Sequence, residues 1–97
     1  MSRADGILHL VLNALPWDEI AAGRKPVEYR DMHWQGRISA GGYTHVRLQR
    51  GFQRVDGKVP TLLFEIDRTD IGPADPRWTY GIVKGGPFLR IWLGTRL

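Results

Sequence analysis

Cysteine is absent from this 97-residue chain, so it holds no disulfide framework, no thiolate metal site and no thiol nucleophile. It also lacks any apolar run near the roughly 20 residues that a membrane-crossing helix needs. Met1 to Gly6 lacks the basic and apolar regions of a signal peptide, and a cytoplasmic protein with no membrane partner is expected. No phosphate-cradling loop of the Walker type is present, which excludes ATP-driven chemistry of that kind. Histidine occurs only at His9, His33 and His45, without metal-ligand spacing, so neither a metal nor a cofactor is expected. No DNA-specific motif stands out, and the oligomeric state is left open.

Acidic residues are the scarcer charge, 10 against 14 basic ones, giving a net charge of +4 and a pI near 10.0. Lysine is scarce too. Lys25, Lys58 and Lys84 are outnumbered by arginines spread along the whole chain. Guanidinium groups bond phosphates and carboxylates bidentately, so such a surface suits anionic partners, RNA among them. The same composition also serves as a merely soluble surface.

The length fits one domain, residues 1–97, with a modest core. Ile7 to Leu12 is an apolar run interrupted at His9, the pattern of a buried strand, and His9 is expected as a core histidine. Asn13 can cap a short helix with Pro16 in its first turn. In that helix Leu15, Ile20 and Ala21 would face the core, and Gly23 would end it. Pro26 holds Lys25 extended, so a second strand starts just after it. A third strand is expected over Tyr43 to Gln49, and Asp56-Gly57 is a tight-turn signal leading to an alternating strand, Thr61 to Arg68. Asp31 to Ile38 is ambiguous, with room for one helical turn. Asp70 to Trp78 reads as a loop, Tyr80 to Val83 as a short strand, and Phe88 to Leu93 as a closing apolar strand ended by Gly94. The sum is a mainly β fold with one or two short helices (α+β), favouring a small barrel that leaves few strand edges unpaired.

One stretch carries the functional signal: Gly23-Arg24-Lys25-Pro26-Val27-Glu28-Tyr29-Arg30. It follows the predicted helix directly and matches a glycine-x-lysine-x-x-glutamate-x-arginine pattern. Together with the strand and helix before it, with Val46-Arg47-Leu48 leading to Gly51-Phe52, and with Phe88 to Gly94, it resembles the ASCH domain family. That resemblance implies a PUA-like β-barrel and a modified nucleoside or RNA as partner. Members of the family are linked to RNA binding, some to ribonuclease activity, and certain small ones hydrolyse the amide of N4-acetylcytidine and related acylated cytosines. The chain departs from those amidohydrolases in one respect. Their proposed threonine nucleophile aligns with Glu28, and a second glutamate after the central strands has only Glu65 as its nearest counterpart here.

From the residues themselves, Lys25 and Glu28 would sit on opposite faces of a regular strand, but Lys25 precedes the strand and can swing across the face carrying Glu28 and Arg30. Two flanking cations favour an ionised Glu28. Amide hydrolysis needs an activated water, a proton for the leaving amine and a donor for the oxyanion. Glu28 could activate the water, Lys25 could serve nitrogen or oxyanion, Arg30 could hold Glu28 or a substrate, and Glu65 is carried as a further catalytic candidate. The same three charges could equally be a structural ion-pair network. Trp34, Tyr43, Phe52, Trp78 and Tyr80 are candidate stacking faces, with Trp34 and Phe52 taken as pocket walls and Trp17 and Trp92 left to packing. Arg47, Arg50 and Arg54 could form a basic rim near Phe52 or a plain solvated hairpin. The expected function is removal of the acyl group from an N4-acylated cytidine, with a non-catalytic RNA-binding module or a ribonuclease as the alternatives.

Overall fold

The computed structural model of the chain describes residues 6–34, 36, 38, 42–78 and 87–97. Its strands are β1 (Ile7–Leu12), β2 (Val27–Arg30), β3 (His45–Arg50), β4 (Thr61–Gly72) and β5 (Phe88–Arg96), with helix α1 (Ala14–Ala21) after β1 and a 3-10 turn at Pro76–Trp78. Backbone at Trp34, Gly36 and Ile38 is helical, as the ambiguous stretch after β2 allowed. The strand expected over Tyr80 to Val83 lies outside the described residues. Among these residues no helix is long and apolar enough to cross a membrane.

The five strands form one sheet in the order β1-β3-β4-β5-β2, mainly β overall and curled into a half-barrel. β1 runs parallel to β3, and the remaining pairs are antiparallel. β4 runs to Gly72, past the expected end at Arg68, because it serves two neighbours in turn. Its first half pairs with β3 and its second with β5, with irregularities between Phe64 and Arg68. Such bulges bend a strand and increase its twist, which curls the sheet. β1 and β2 are then left as the two edges of the curl.

Leu8, Leu10, Leu12, Val46, Leu48, Leu62, Phe64, Leu89 and Ile91 fill the inside of the curl and are almost wholly buried. Period-two alternation puts them all on one face. β1 is therefore buried on one side only, and His9 faces solvent. The expected core histidine is corrected on that ground: the core lies on one face of the sheet, and alternation turns His9 to the other.

Helix α1 covers one end of the curl. Asn13 precedes it in extended conformation, although its side chain makes no capping bond. Ile20 is buried, Trp17 and Ala21 pack on the core, and Trp17 Nε1 donates to the Leu48 carbonyl at 2.9 Å. Leu15, expected inside, is 55% exposed at the helix start. Gly23 ends the helix with φ of +80°, a conformation that costs glycine nothing. The Arg24 and Lys25 amides then both donate to the Glu19 carbonyl, and this turn delivers Lys25 to the mouth of β2. The Asp56-Gly57 turn forms as the sequence predicts, with Val55 and Lys58 bonded across it.

Candidate functional site

The open edges of β1 and β2 face each other across a seam. The carbonyls of Gly6, just before β1, and of Leu12 at its end bond to the start of β3 and the segment after it, so the alternate residues turn their main-chain groups outward. Val11 is one of them, and its carbonyl accepts from Arg30 Nη2 at 3.0 Å. One arginine side chain thus spans the gap that a sixth strand would close in a full barrel.

A cleft of about 560 Å³ occupies this seam, within the range typical of small-ligand sites. β1 and the start of α1 supply Val11, Leu12, Asn13, Leu15 and Pro16. From β2 and the turns around it come Lys25, Glu28, Tyr29, Arg30, Asp31 and Trp34, while Ala74, Trp78 and Phe88 complete the wall.

Its floor is charged. Lys25 Nζ lies 3.3 Å from Glu28 Oε1, and Arg30 Nη2 lies 3.0 Å from Glu28 Oε2. Lys25 and Glu28 are only 4% and 5% exposed. The residues before Pro26 fold back against α1, and burial follows from that turn. Arg30 lies over the Trp34 ring at 5.5 Å, Lys25 stands 5.6 Å from the Tyr29 ring centre, and the Tyr29 hydroxyl accepts from the Asp75 amide at 3.0 Å. Arg30 Nε is buried without a hydrogen-bond partner.

Burial pushes the Lys25 ammonium below its ordinary value of 10.5, and Arg30 adds to that. The attraction and hydrogen bond of Glu28 work the other way without cancelling it. A lysine poised in this way exchanges its proton more readily than a solvated one. Both Glu28 oxygens are held, yet a carboxylate offers about four acceptor positions, so each oxygen keeps capacity for a water or a ligand. Among the described residues no group of three or more His, Asp or Glu is placed to hold a metal ion.

Of the residues singled out in the sequence, Lys25, Glu28, Arg30 and Trp34 meet in this cleft. Phe52 does not. It sits in the loop after β3, 78% exposed, because Gly51 turns the chain away from the body at the end of that strand. Glu65 is also elsewhere: in β4, Leu62 and Phe64 point inward, and Glu65 takes the opposite, exposed face. Tyr29 also joins the cleft, and Trp78, a candidate stacking face, arrives from a distant loop. Asn13 was legible only as a helix cap, and Asp31 only as the start of an ambiguous stretch.

Elsewhere on the surface, Arg24 pairs with Glu19, Arg50 with Asp18, Arg68 with Asp67, Arg77 with Asp75 and Arg90 with Asp70. Much of the positive charge is therefore met locally. No family model, curated protein or solved structure matches this chain.

Proposed function

We propose that this chain is an ASCH-type, PUA-like domain that takes a nucleobase into the seam cleft and hydrolyses the exocyclic amide of an N4-acylated cytidine. The observation that carries this reading is the buried Lys25-Glu28 pair, with the partly buried Arg30 beside it, on the floor of a cleft walled by Trp34 and Trp78. Indole faces accept any base by stacking, and the charged floor supplies the groups that amide hydrolysis uses.

In the proposed reaction Glu28 takes a proton from water as the water oxygen bonds to the acyl carbon. The carbonyl oxygen becomes an oxyanion, and the Lys25 ammonium stabilises it. Collapse of this intermediate breaks the bond from the acyl carbon to N4, and the proton held by Glu28 passes to the departing nitrogen. The products are the free cytidine and the carboxylic acid. Arg30 keeps Glu28 oriented through Oε2, which leaves Lys25 and the water on the other oxygen. The 3.3 Å separation of Lys25 and Glu28 is long for a charge-assisted bond, so Lys25 can shift toward an oxyanion at small cost. A water nucleophile answers the lack of a threonine at position 28.

Incubating the protein with N4-acetylcytidine and following cytidine and acetate by chromatography tests the proposal. Cytidine should form, and Glu28→Gln should lower the rate by at least about 100-fold, the scale of general acid–base catalysis. Binding of the nucleoside without turnover would overturn the hydrolase and leave a recognition module.

A further inference from the structure

Seven consecutive residues, Phe52 to Lys58, are exposed. They form the tip of the hairpin joining β3 and β4, closed by the Asp56-Gly57 turn. Phe52 and Val55 are 78% and 55% exposed, so neither contributes much to the core. A phenylalanine held in water at a hairpin tip buries little apolar surface and so contributes little to the stability of the fold.

The charge around it has the same character. Among the described residues, the cations that form no ion pair with a carboxylate are Arg47, Arg54, Lys58 and Arg96. Three of these four lie on β3 or its hairpin. Arg54 donates Nη1 to the Gly57 carbonyl at 3.0 Å, which sets the side chain along the turn and leaves its remaining donors available. The hairpin root is fixed, since the Gly51 amide donates to the Leu12 carbonyl at 2.8 Å and Arg50 holds Asp18 of α1 at 2.9 Å. Leu12 and the start of α1 line the seam cleft, so the hairpin root is bonded to a residue of the cleft wall.

We propose that the Phe52–Lys58 hairpin is a finger for single-stranded RNA, gripping the strand whose modified base enters the cleft. Phe52 stacks on a neighbouring base while Arg54 and Lys58 meet the phosphates beside it. This combination of an aromatic face with nearby cations suits single strands of any sequence. The inference rests on the nucleobase reading of the cleft and extends it: the substrate is a base within a strand, with the free nucleoside as a weaker ligand.

The test compares two ligands, free N4-acetylcytidine and a short single-stranded RNA carrying one N4-acetylcytidine, on the parent protein, Phe52→Ala and the double variant Arg54→Ala/Lys58→Ala. Melting curves check that each variant folds, and the exposure of all three residues predicts that they do. The RNA should bind the parent more tightly than the nucleoside does. Phe52→Ala should weaken RNA binding by about 5- to 150-fold, the usual range for one lost base–aromatic stack, and leave nucleoside binding unchanged. The double variant should reduce the salt dependence of RNA binding by about 0.7 in slope for each phosphate contact removed. Equal affinity for both ligands, or RNA binding unaffected by either variant, would overturn the finger while nucleoside binding kept the cleft reading intact. Tight nucleoside binding that Phe52→Ala abolishes would also overturn it, returning Phe52 to the pocket. A parent that binds neither ligand would remove both readings. Binding of the parent to anionic phospholipid vesicles in preference to the RNA would overturn the finger in favour of a lipid surface.

Discussion

Two arginine–carboxylate clusters flank the β2–β5 pair, and they are built differently. At one, Arg90 Nε and Nη2 grip the two oxygens of Asp70 at 2.6 and 2.9 Å, Nη1 reaches the Pro73 carbonyl, and Trp92 Nε1 adds a bond to Asp70 at 3.1 Å. At the other, Arg30 divides Nη2 between the Val11 carbonyl and Glu28 while its Nε has no partner, and Lys25 approaches Glu28 only to 3.3 Å. Charge follows this geometry. Hydrogen bonds from Arg90 hold the Asp70 carboxyl below its ordinary value, so that pair favours its charged forms. Lys25 is pushed the other way, because burial outweighs the attraction of Glu28. The Arg90 cluster satisfies its members and fixes two strands. The Lys25 cluster keeps a charged group where charge is costly, at the floor of a cleft. That contrast is the physical argument for reading one as structure and the other as function.

The largest break of the contrast comes from Glu28→Gln. It leaves the buried Lys25 beside the partly buried Arg30 without their shared counter-charge, and losing one partner of a buried pair costs about 3–5 kcal/mol. That is a large share of the roughly 5–15 kcal/mol that stabilises a small domain. A melting curve should show the loss, and turnover at low temperature, where the variant is folded, should still be down by orders of magnitude.

Lys25 should also make stability and turnover respond differently to pH. The folded-state value of Lys25 lies below its ordinary 10.5. Between those two values the unfolded chain binds more protons than the native one, so the contribution of Lys25 to stability rises with pH. Its proposed catalytic form is the ammonium, so turnover should fall across the same window. Stability and the alkaline limb of turnover are thus expected to run in opposite directions, and Lys25→Met should abolish the stability trend in the same range.

The smallest effect belongs to the Arg90 side. A methyl group added at Gly72 would stand 2.5 Å from Arg90 Cζ, so Gly72→Ala must drive the guanidinium off Asp70. The expected result is a lowered melting temperature, less than that of Glu28→Gln, with nucleoside affinity and turnover unchanged. Loss of turnover there would show that the two clusters are coupled through β5.

Much of this arrangement was legible in the sequence. Local signals settled the local pieces. Pro26 after a helix-ending glycine marked both the start of β2 and the escape of Lys25 from its alternation, and Asp56-Gly57 marked the hairpin. The meeting of Lys25, Glu28 and Arg30 followed from eight consecutive residues. What was hidden depends on contacts between distant segments. The burial of the cluster needs the turn after α1 to fold back on the helix, and the cleft above it needs residues 74–78 to supply a wall. Alternation gives Glu65 and Leu62 opposite faces without saying which one meets the cleft. His9 looked interior because its neighbours are apolar, and only the packed sheet shows that its face of β1 is the uncovered one. Phe52 follows a strand as a core aromatic might, while the turn at Gly51, one residue before it, sends it into solvent.

The central claim is that Lys25 is kept for what it does in the cleft, at some expense to the fold. Lys25→Met tests this most directly, since methionine fills similar space without the buried charge and leaves Glu28 paired with Arg30. Paired measurements of melting temperature and N4-acetylcytidine turnover should show a melting temperature equal to or above that of the parent and turnover reduced at least about 100-fold, the scale expected for loss of a catalytic group. A melting temperature lowered as far as in Glu28→Gln, with turnover preserved, would contradict the account and make the cluster a structural one.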